Sequence, residues 1–160
     1  RPMLLGGVFK ATGNHSPVDI PAKKKWLQQD LQRWARRYDA VFRNNPHFPV
    51  NTLVLMRGAT GLQMRGTDFG RYVEAMFRAM WEEPRNLGDP AEIATVLREA
   101  GFDAEAFLAL VNDAEVKQQL KKNTEQAVAR GVFGAPTFFV GDEMFWGQDR
   151  LDFVAEALAA

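Results

Sequence analysis

The spacing of apolar residues changes once along the chain. From about residue 22 to residue 130, apolar side chains recur every three or four positions, the spacing of amphipathic helices. After Gly131 the period shortens to two, and β-branched and aromatic residues become frequent. The pattern therefore predicts an all-helical middle followed by a β-rich C-terminal part.

The middle divides into successive helices with recognisable start signals. Pro21 is well placed at the entry of the first helix, and Asn51 or Thr52 can cap the second. Thr67 is the predicted cap of the third helix. Aspartates are predicted to start the later helices at Asp89, Asp103 and Asp113.

The third predicted helix has the widest apolar face, so we expect it at the centre of the helical part. Most of this face should be core, and part of it could line a substrate pocket or a dimer face. Its members are Phe69, Tyr72, Val73, Met76, Phe77 and Met80.

The C-terminal part predicts a hairpin and a last helix. Residues 137–140 form the first strand, Gly141 and Asp142 the turn, and residues 143–146 the second strand. The last helix covers residues 149–158. At the other end of the chain, the apolar run 3–9 predicts a strand that leads into a polar loop over residues 10–14.

This order of elements predicts an α/β fold of the thioredoxin type with a helical insertion. Parallel strands need a crossover connection, and here the crossover would be the whole helical region. A further strand and helix upstream of Arg1 would complete the layout. We therefore expect residues 1–20 and 131–160 to form a thioredoxin-like domain, and residues 21–130 to form the insertion.

Composition excludes several classes of function. The 160 residues contain 20 Lys and Arg against 20 Asp and Glu, which argues against binding to nucleic acid or to an anionic membrane. No apolar run approaches the roughly 20 residues that span a bilayer. Cysteine is absent, and His15 and His47 lack metal-ligand spacing, so we predict no metal site. The lack of disulfides fits a cytoplasmic protein.

The segment Gly134-Ala135-Pro136-Thr137 has two interpretations. Proline at the first residue of a strand costs no hydrogen bond, so Pro136 could simply be a trans proline that shapes the strand entry. A cis Pro136 would instead turn the backbone N–H and C=O of Ala135 outward, where they could pair with an extended peptide.

The segment Trp146-Gly147-Gln148-Asp149 lies where the last strand becomes a helix. A helix N-terminus suits a carboxylate, and a neighbouring aspartate could accept an ammonium group. Together they could bind the zwitterionic end of an amino acid. The alternative is that Asp149 or Gln148 merely caps the last helix.

Three stretches resemble one enzyme family over nearly the whole chain. "VFGAPTFFVGDEMFWGQDRLDFV" resembles the C-terminal signature of 2-hydroxychromene-2-carboxylate isomerases. "RPMLLGGVFKATGNHSP" is similar to the family's second strand and the loop after it, and "DLQRWARRY" to its first inserted helix. These bacterial, glutathione-dependent enzymes are related to kappa-class glutathione transferases and to the DsbA-type thioredoxin fold.

The resemblance implies a binding site for glutathione. It implies a cis Pro136, with the Ala135 backbone paired to the cysteinyl part of the tripeptide. Asn14 is similar to an asparagine that meets glutathione in kappa-like relatives. The γ-glutamyl end would be bound by Trp146, Gly147, Gln148 and Asp149.

The resemblance also implies a reaction. Glutathione thiolate adds to the hydroxychromene carboxylate, the ring opens, a C–C bond rotates, and elimination leaves trans-o-hydroxybenzylidenepyruvate. In the family a serine of a Ser-Pro motif stabilises the thiolate. Ser16-Pro17 is not at the matching place, so we expect this serine upstream of Arg1 and assign no catalytic residue within the 160.

Three residues are candidate contacts for the small aromatic carboxylate substrate. Lys10 is suited to bind the carboxylate, and its alternative is a solvated surface lysine. Asn45 is similar in position to a substrate-contacting residue of the family, and Asn51 is a further candidate. For these two the alternatives are turn chemistry and helix capping.

The resemblance leaves other functions open. A kappa-like glutathione transferase and a DsbA-like disulfide oxidoreductase would use the same fold. A non-catalytic relative that binds glutathione or a peptide is the alternative from outside the enzymes. We favour the isomerase, expect it in the bacterial cytoplasm, and leave a homodimer open.

Overall fold

Eight α-helices and one two-stranded sheet make up residues 1–159, the part of the chain that this computed structural model describes. The helices are α1 (Leu5–Thr12), α2 (Pro21–Arg37), α3 (Leu53–Arg65), α4 (Phe69–Trp81), α5 (Pro90–Glu99), α6 (Ala104–Asn112), α7 (Ala114–Ala129) and α8 (Leu151–Ala159). The strands are β1 (Thr137–Val140) and β2 (Glu143–Trp146), and two short 3₁₀ helices cover Pro17–Asp19 and Gln148–Arg150. Within residues 1–159 no helix has the length and apolar character needed to cross a membrane.

The aspartate caps predicted from sequence are confirmed. The carboxylates of Asp89, Asp103 and Asp113 each accept a hydrogen bond from a backbone N–H in the first turn of α5, α6 and α7. The predicted cap at Thr67 is wrong. Helix α4 begins one residue later than that cap requires, because Asp68 takes a left-handed conformation (φ 55°) and its side chain makes no capping bond.

The predicted strand over residues 3–9 is also wrong, because most of this segment is helix α1. Leu4 and Val8 are four residues apart, and Val8 is fully buried, so the apolar run follows a helical face. Gly13 ends the helix in a left-handed conformation (φ 69°), as glycine commonly does. So short an apolar run fits both the period of a strand and the period of a helix, and the packing of α1 on α7 selects the helix.

The buried apolar core cluster lies among α3, α4, α5, α6 and the start of α7, inside the predicted insertion. Tyr72 of α4 is almost fully buried and donates a hydrogen bond to the Leu55 carbonyl (2.9 Å). Met76 and Met80 of the predicted stripe are buried as well, whereas Phe77 is 64% exposed at the rim of a cavity. The central place of α4 is thus confirmed. The division into two domains stays a prediction.

Helix α3 approaches α6 closely through a glycine, which gives a stability prediction. A Cβ at Gly58 would overlap the Phe107 ring and lie 2.8 Å from the Tyr72 hydroxyl oxygen. Gly58→Ala should therefore lower the free energy of unfolding by about 2 kcal/mol, as overpacking usually does. The measurement is urea denaturation.

Gly70 of α4 provides the matched control for Gly58. Nothing lies within 4 Å of a Cβ built at Gly70. Gly70→Ala should raise the free energy of unfolding by up to about 1 kcal/mol, because alanine is the better helix former. Equal effects of the two substitutions would contradict the close packing of α3 on α6.

The predicted hairpin is confirmed and sets up the region of interest. Strands β1 and β2 are antiparallel, with Thr137 opposite Trp146 and Val140 opposite Glu143. Helix α8 packs on β1. This register brings the residues just before β1 next to the residues just after β2.

Candidate functional site

The proline corner and the tetrapeptide 146–149 meet in the structure. The Gly147 N–H donates to the Pro136 carbonyl at 3.0 Å. The Trp146 ring packs on Phe133 with 5.1 Å between ring centroids. The two segments that the sequence singled out therefore form one continuous surface.

The corner offers a free backbone donor and acceptor. The Ala135–Pro136 peptide bond is cis, and both residues are exposed. The Thr137 hydroxyl donates to the Gly134 carbonyl at 2.8 Å and braces the turn. No hydrogen bond within residues 1–159 uses the N–H or C=O of Ala135. An extended peptide could pair with these groups as an added strand does.

Asn14 lies at the same corner. Its side-chain Nδ2 donates to the Phe133 carbonyl at 2.8 Å, and its Oδ1 accepts from the His15 N–H at 2.8 Å. The side chain thus ties the loop after α1 to the segment that precedes Pro136. One hydrogen of Nδ2 and one lone pair of Oδ1 stay free for a ligand.

The tetrapeptide has a backbone shape that requires glycine. Gly147 has φ 106°, and a Cβ there would overlap Oδ1 of Asp149. The N–H groups of Gln148 and Asp149 find no acceptor among residues 1–159. Two free donors therefore lie just before α8, an arrangement that suits a carboxylate.

The Asp149 carboxylate completes the polar part of the site. Its Oδ2 pairs with the Arg150 guanidinium at 2.8 Å, and both side chains are close to half exposed. An ion pair this exposed contributes little to stability, so a ligand ammonium can approach the carboxylate without breaking a strong contact.

Sequence analysis missed Tyr38 as part of this region. Its hydroxyl donates to the Gln148 carbonyl at 3.3 Å and so joins the end of α2 to the tetrapeptide. The only sequence signal was its place on the apolar face of α2, together with Leu27 and Leu31. That spacing predicts packing, and it carries no information about a contact 110 positions away.

Two of the three predicted substrate residues lie apart from these contacts. Lys10 is exposed on α1 and forms no ion pair within the described part of the chain. The N-cap residue of α3 is Thr52, whose side chain makes no capping bond. The Asn51 Oδ1 instead accepts from the N–H of Leu53, the first residue of α3, at 3.0 Å. Its side-chain NH₂ group remains available.

Asn45 is buried, with 7% of its surface exposed. Its Nδ2 donates to the carbonyls of Met80 (3.0 Å) and Arg85 (2.9 Å), and its Oδ1 accepts from the His47 N–H (2.9 Å). Both amide hydrogens are therefore used inside the protein. The geometry assigns Asn45 to holding the loop 42–48.

Two neighbouring cavities lie on either side of Phe48 and Trp81. The first, of about 370 Å³, lies between α3 and α4 and is almost entirely apolar. The second, of about 420 Å³, lies between α2 and the loop 42–48, and we call it the α2 cavity. Asn45 belongs to the wall of the α2 cavity.

Comparison with known proteins identifies the class. Residues 1–159 match the family model of the DSBA-like thioredoxin domain. A cis proline precedes strand β1, and six helices lie between α1 and β1. The chain belongs to the DsbA-like thioredoxin family.

The more specific relatives are enzymes. The 2-hydroxychromene-2-carboxylate isomerase of Sphingobium xenophagum is 32% identical over 99% of this chain and 80% of the relative. A solved structure of a 2-hydroxychromene-2-carboxylate isomerase matches with a TM-score of 0.84 at 31% identity, covering 98% of this chain and 77% of the other. Within the DsbA-like proteins, the chain thus belongs to the 2-hydroxychromene-2-carboxylate isomerase family.

A further relative belongs to another enzyme class. The protein named glutathione S-transferase kappa 2 of Caenorhabditis elegans is 30% identical over 99% of this chain and 77% of the relative. The relationship to kappa-class transferases inferred from the sequence is therefore confirmed.

Proposed function

We propose that the protein is a glutathione-dependent isomerase that acts on 2-hydroxychromene-2-carboxylate or a closely related aromatic carboxylate. The names of its relatives support the isomerase class. The kappa-class relatives support the use of glutathione.

The observation that carries the proposal is the meeting of the Pro136 corner with the tetrapeptide. Ala135 presents an unpaired N–H and C=O, which suit the cysteinyl backbone of a tripeptide. Gln148 and Asp149 present unpaired N–H groups for the γ-glutamyl carboxylate, and the Asp149 side chain suits its ammonium. The residues present fit glutathione.

The chain itself carries no thiol, since it contains no cysteine. Bound glutathione would supply a thiol nucleophile for addition to the substrate. The residues of this chain would bind glutathione and orient it. Asn14 fixes the segment before Pro136, Trp146 covers Gly134, and Tyr38 fixes the tetrapeptide at Gln148.

Several finer points stay predictions. The serine that would stabilise the thiolate is expected upstream of Arg1. Contacts of the substrate with Lys10 and Asn51, the homodimer and the cytoplasmic location have the same standing. The internal hydrogen bonds of Asn45 argue that it shapes the wall of the α2 cavity and does not donate to substrate.

A kappa-type glutathione transferase is the second candidate. The kappa-class relatives align over nearly the whole chain, and a transferase would use the same tripeptide site. The difference lies in the fate of the thiol adduct. A transferase releases the adduct as product, whereas an isomerase regenerates glutathione.

Turnover by the complete gene product distinguishes these functions. We expect conversion of 2-hydroxychromene-2-carboxylate, followed by its ultraviolet absorbance, to require glutathione in catalytic amounts. Conversion at the same rate without glutathione would contradict the proposal. Stoichiometric consumption of glutathione with accumulation of a conjugate would assign the protein to the transferases instead.

A further inference from the structure

Three hydrogen bonds hold consecutive peptide units of the tetrapeptide 146–149. The Gly147 N–H donates to the Pro136 carbonyl at 3.0 Å, and the Gly147 carbonyl accepts from the Arg150 N–H at 3.2 Å. The Gln148 carbonyl accepts from the Tyr38 hydroxyl at 3.3 Å. The first two bonds join segments within residues 136–150, whereas the third comes from the end of α2, 110 positions earlier in the chain. Tyr38 therefore ties the tetrapeptide to the helical part of the molecule.

The Gln148 carbonyl and the Asp149 N–H belong to one peptide unit. This unit is trans, so its C=O and its N–H lie on opposite edges. Because the Tyr38 hydroxyl binds the carbonyl, the Asp149 N–H faces away from Tyr38. A hydrogen bond to the carbonyl oxygen also polarises the unit and makes its N–H a stronger donor. Tyr38 thus fixes the orientation of one of the two unpaired N–H groups of the tetrapeptide.

Tyr38 itself is held by its neighbours on α2. Its ring stacks on the Trp34 ring with 5.5 Å between centroids, and the Arg37 guanidinium lies 5.4 Å from the centre of the Trp34 ring. Tyr38 is 50% exposed, so burial does not determine where its hydroxyl lies. The stack on Trp34 restricts the ring instead. The hydroxyl is therefore presented to Gln148 by a ring that is ordered before any ligand binds.

We propose that Tyr38 is a positioning residue of the tripeptide site. Its hydroxyl orients the Gln148–Asp149 peptide so that the Asp149 N–H binds the α-carboxylate of the γ-glutamyl group. This role in ligand binding rests on the proposed glutathione site, whereas the orientation of the peptide in the free protein does not. Tyr38 acts through the peptide and does not touch the ligand. Its contribution is therefore specific to the carboxylate, while the Asp149 side chain serves the ammonium group.

Calorimetric titration of the complete gene product with three ligands tests this role. The analogue 4-aminobutyryl-cysteinylglycine lacks only the α-carboxylate of glutathione, and glutaryl-cysteinylglycine lacks only its ammonium group. Tyr38→Phe keeps the ring and removes the hydroxyl. We expect it to raise the Kd of glutathione and of the glutaryl analogue about fivefold, the usual size of one hydrogen bond. The Kd of the 4-aminobutyryl analogue should stay within about twofold of the wild-type value.

Tyr72→Phe is the matched control, since Tyr72 is the other tyrosine of the chain. Its hydroxyl also donates to a backbone carbonyl, that of Leu55, but inside the helical core. This variant should leave the Kd of all three ligands within about twofold, because distant sites act independently. Asp149→Asn should give the opposite pattern and weaken binding of glutathione and the 4-aminobutyryl analogue but not of the glutaryl analogue. The assignment is overturned if Tyr38→Phe leaves every Kd unchanged, or weakens binding of the 4-aminobutyryl analogue as much as that of glutathione.

The amide resonance of Asp149 in nuclear magnetic resonance spectra separates this role from the proposed function. In the ligand-free protein, Tyr38→Phe should move the Asp149 amide proton upfield, because its peptide unit loses a polarising hydrogen bond. Tyr72→Phe should leave this resonance in place. Glutathione binding that Tyr38→Phe does not weaken would refute the role of Tyr38 alone. A wild type that binds no glutathione would refute the proposed function, and the orienting role of Tyr38 then stands if the Asp149 resonance moves and falls if it does not.

Discussion

Replacing Asn45 with alanine is expected to lower the free energy of unfolding by about 3 kcal/mol, the range for removing a buried hydrogen-bonding hub. The amide is 7% exposed and satisfies the carbonyls of Met80 and Arg85 and the N–H of His47. Alanine would leave these backbone groups without partners in a place that water reaches poorly. Thermal or urea denaturation measures the loss.

Arg85, whose carbonyl accepts from Asn45, is also held by helix α5 through its side chain. The Arg85 side chain is 17% exposed and bonds to Glu92 (2.5 Å) and Glu99 of α5. The guanidinium lowers the pKa of the Glu99 carboxyl through this hydrogen bond. Because Arg85 is already fixed by α5, its carbonyl cannot easily turn to water when Asn45 is removed.

Asn44→Ala is the matched control for Asn45→Ala. Asn44 is the neighbouring residue and is exposed, so its loss should change the free energy of unfolding by less than about 0.5 kcal/mol. A similar stability for both variants would show that the hydrogen bonds of Asn45 do not hold the loop 42–48.

Replacing Asp149 with asparagine is expected to raise the Kd of glutathione about tenfold while leaving the fold intact. The carboxylate is the anionic group of the tetrapeptide, and asparagine keeps its shape but removes its charge. A charged hydrogen bond to the ligand ammonium is typically worth enough for a change of this size. Calorimetric titration measures the Kd, and circular dichroism monitors the fold.

Asp152→Asn controls for the general effect of removing a negative charge near α8. Asp152 is exposed in the first turn of the helix, three residues from Asp149. Its substitution should leave the Kd of glutathione within about twofold, because an exposed charge is largely screened. Equal effects at the two positions, or none at Asp149, would remove the tetrapeptide from the ligand site.

The helices and the hairpin could be predicted because local signals determine them. Asp89, Asp103 and Asp113 cap their helices through bonds to residues two or three positions away. The segment 3–9 is different, because it was predicted as a strand and is mostly helix α1. Its short apolar run fits both the period of a strand and the period of a helix, and only packing on α7, more than a hundred residues later, selects the helix.

The site could be predicted only in part. The corner and the tetrapeptide were found because each is a continuous motif that resembles a known family. Tyr38 was missed because its relevance depends on a tertiary contact between the end of α2 and a distant segment. Asn45 became a candidate because its position is similar to that of a substrate-contacting residue of the family. The sequence could not show that its amide donates to the backbone carbonyls of Met80 and Arg85.

The central claim is that the Pro136 corner and the tetrapeptide 146–149 form one tripeptide site. The most direct test compares calorimetric titrations of the wild-type protein with glutathione and with cysteinylglycine, which lacks the γ-glutamyl group. The account predicts saturable 1:1 binding of glutathione and at least about tenfold weaker binding of the dipeptide, since the dipeptide reaches only the corner. Equal affinity for the two compounds, or no saturable binding of glutathione, would contradict it.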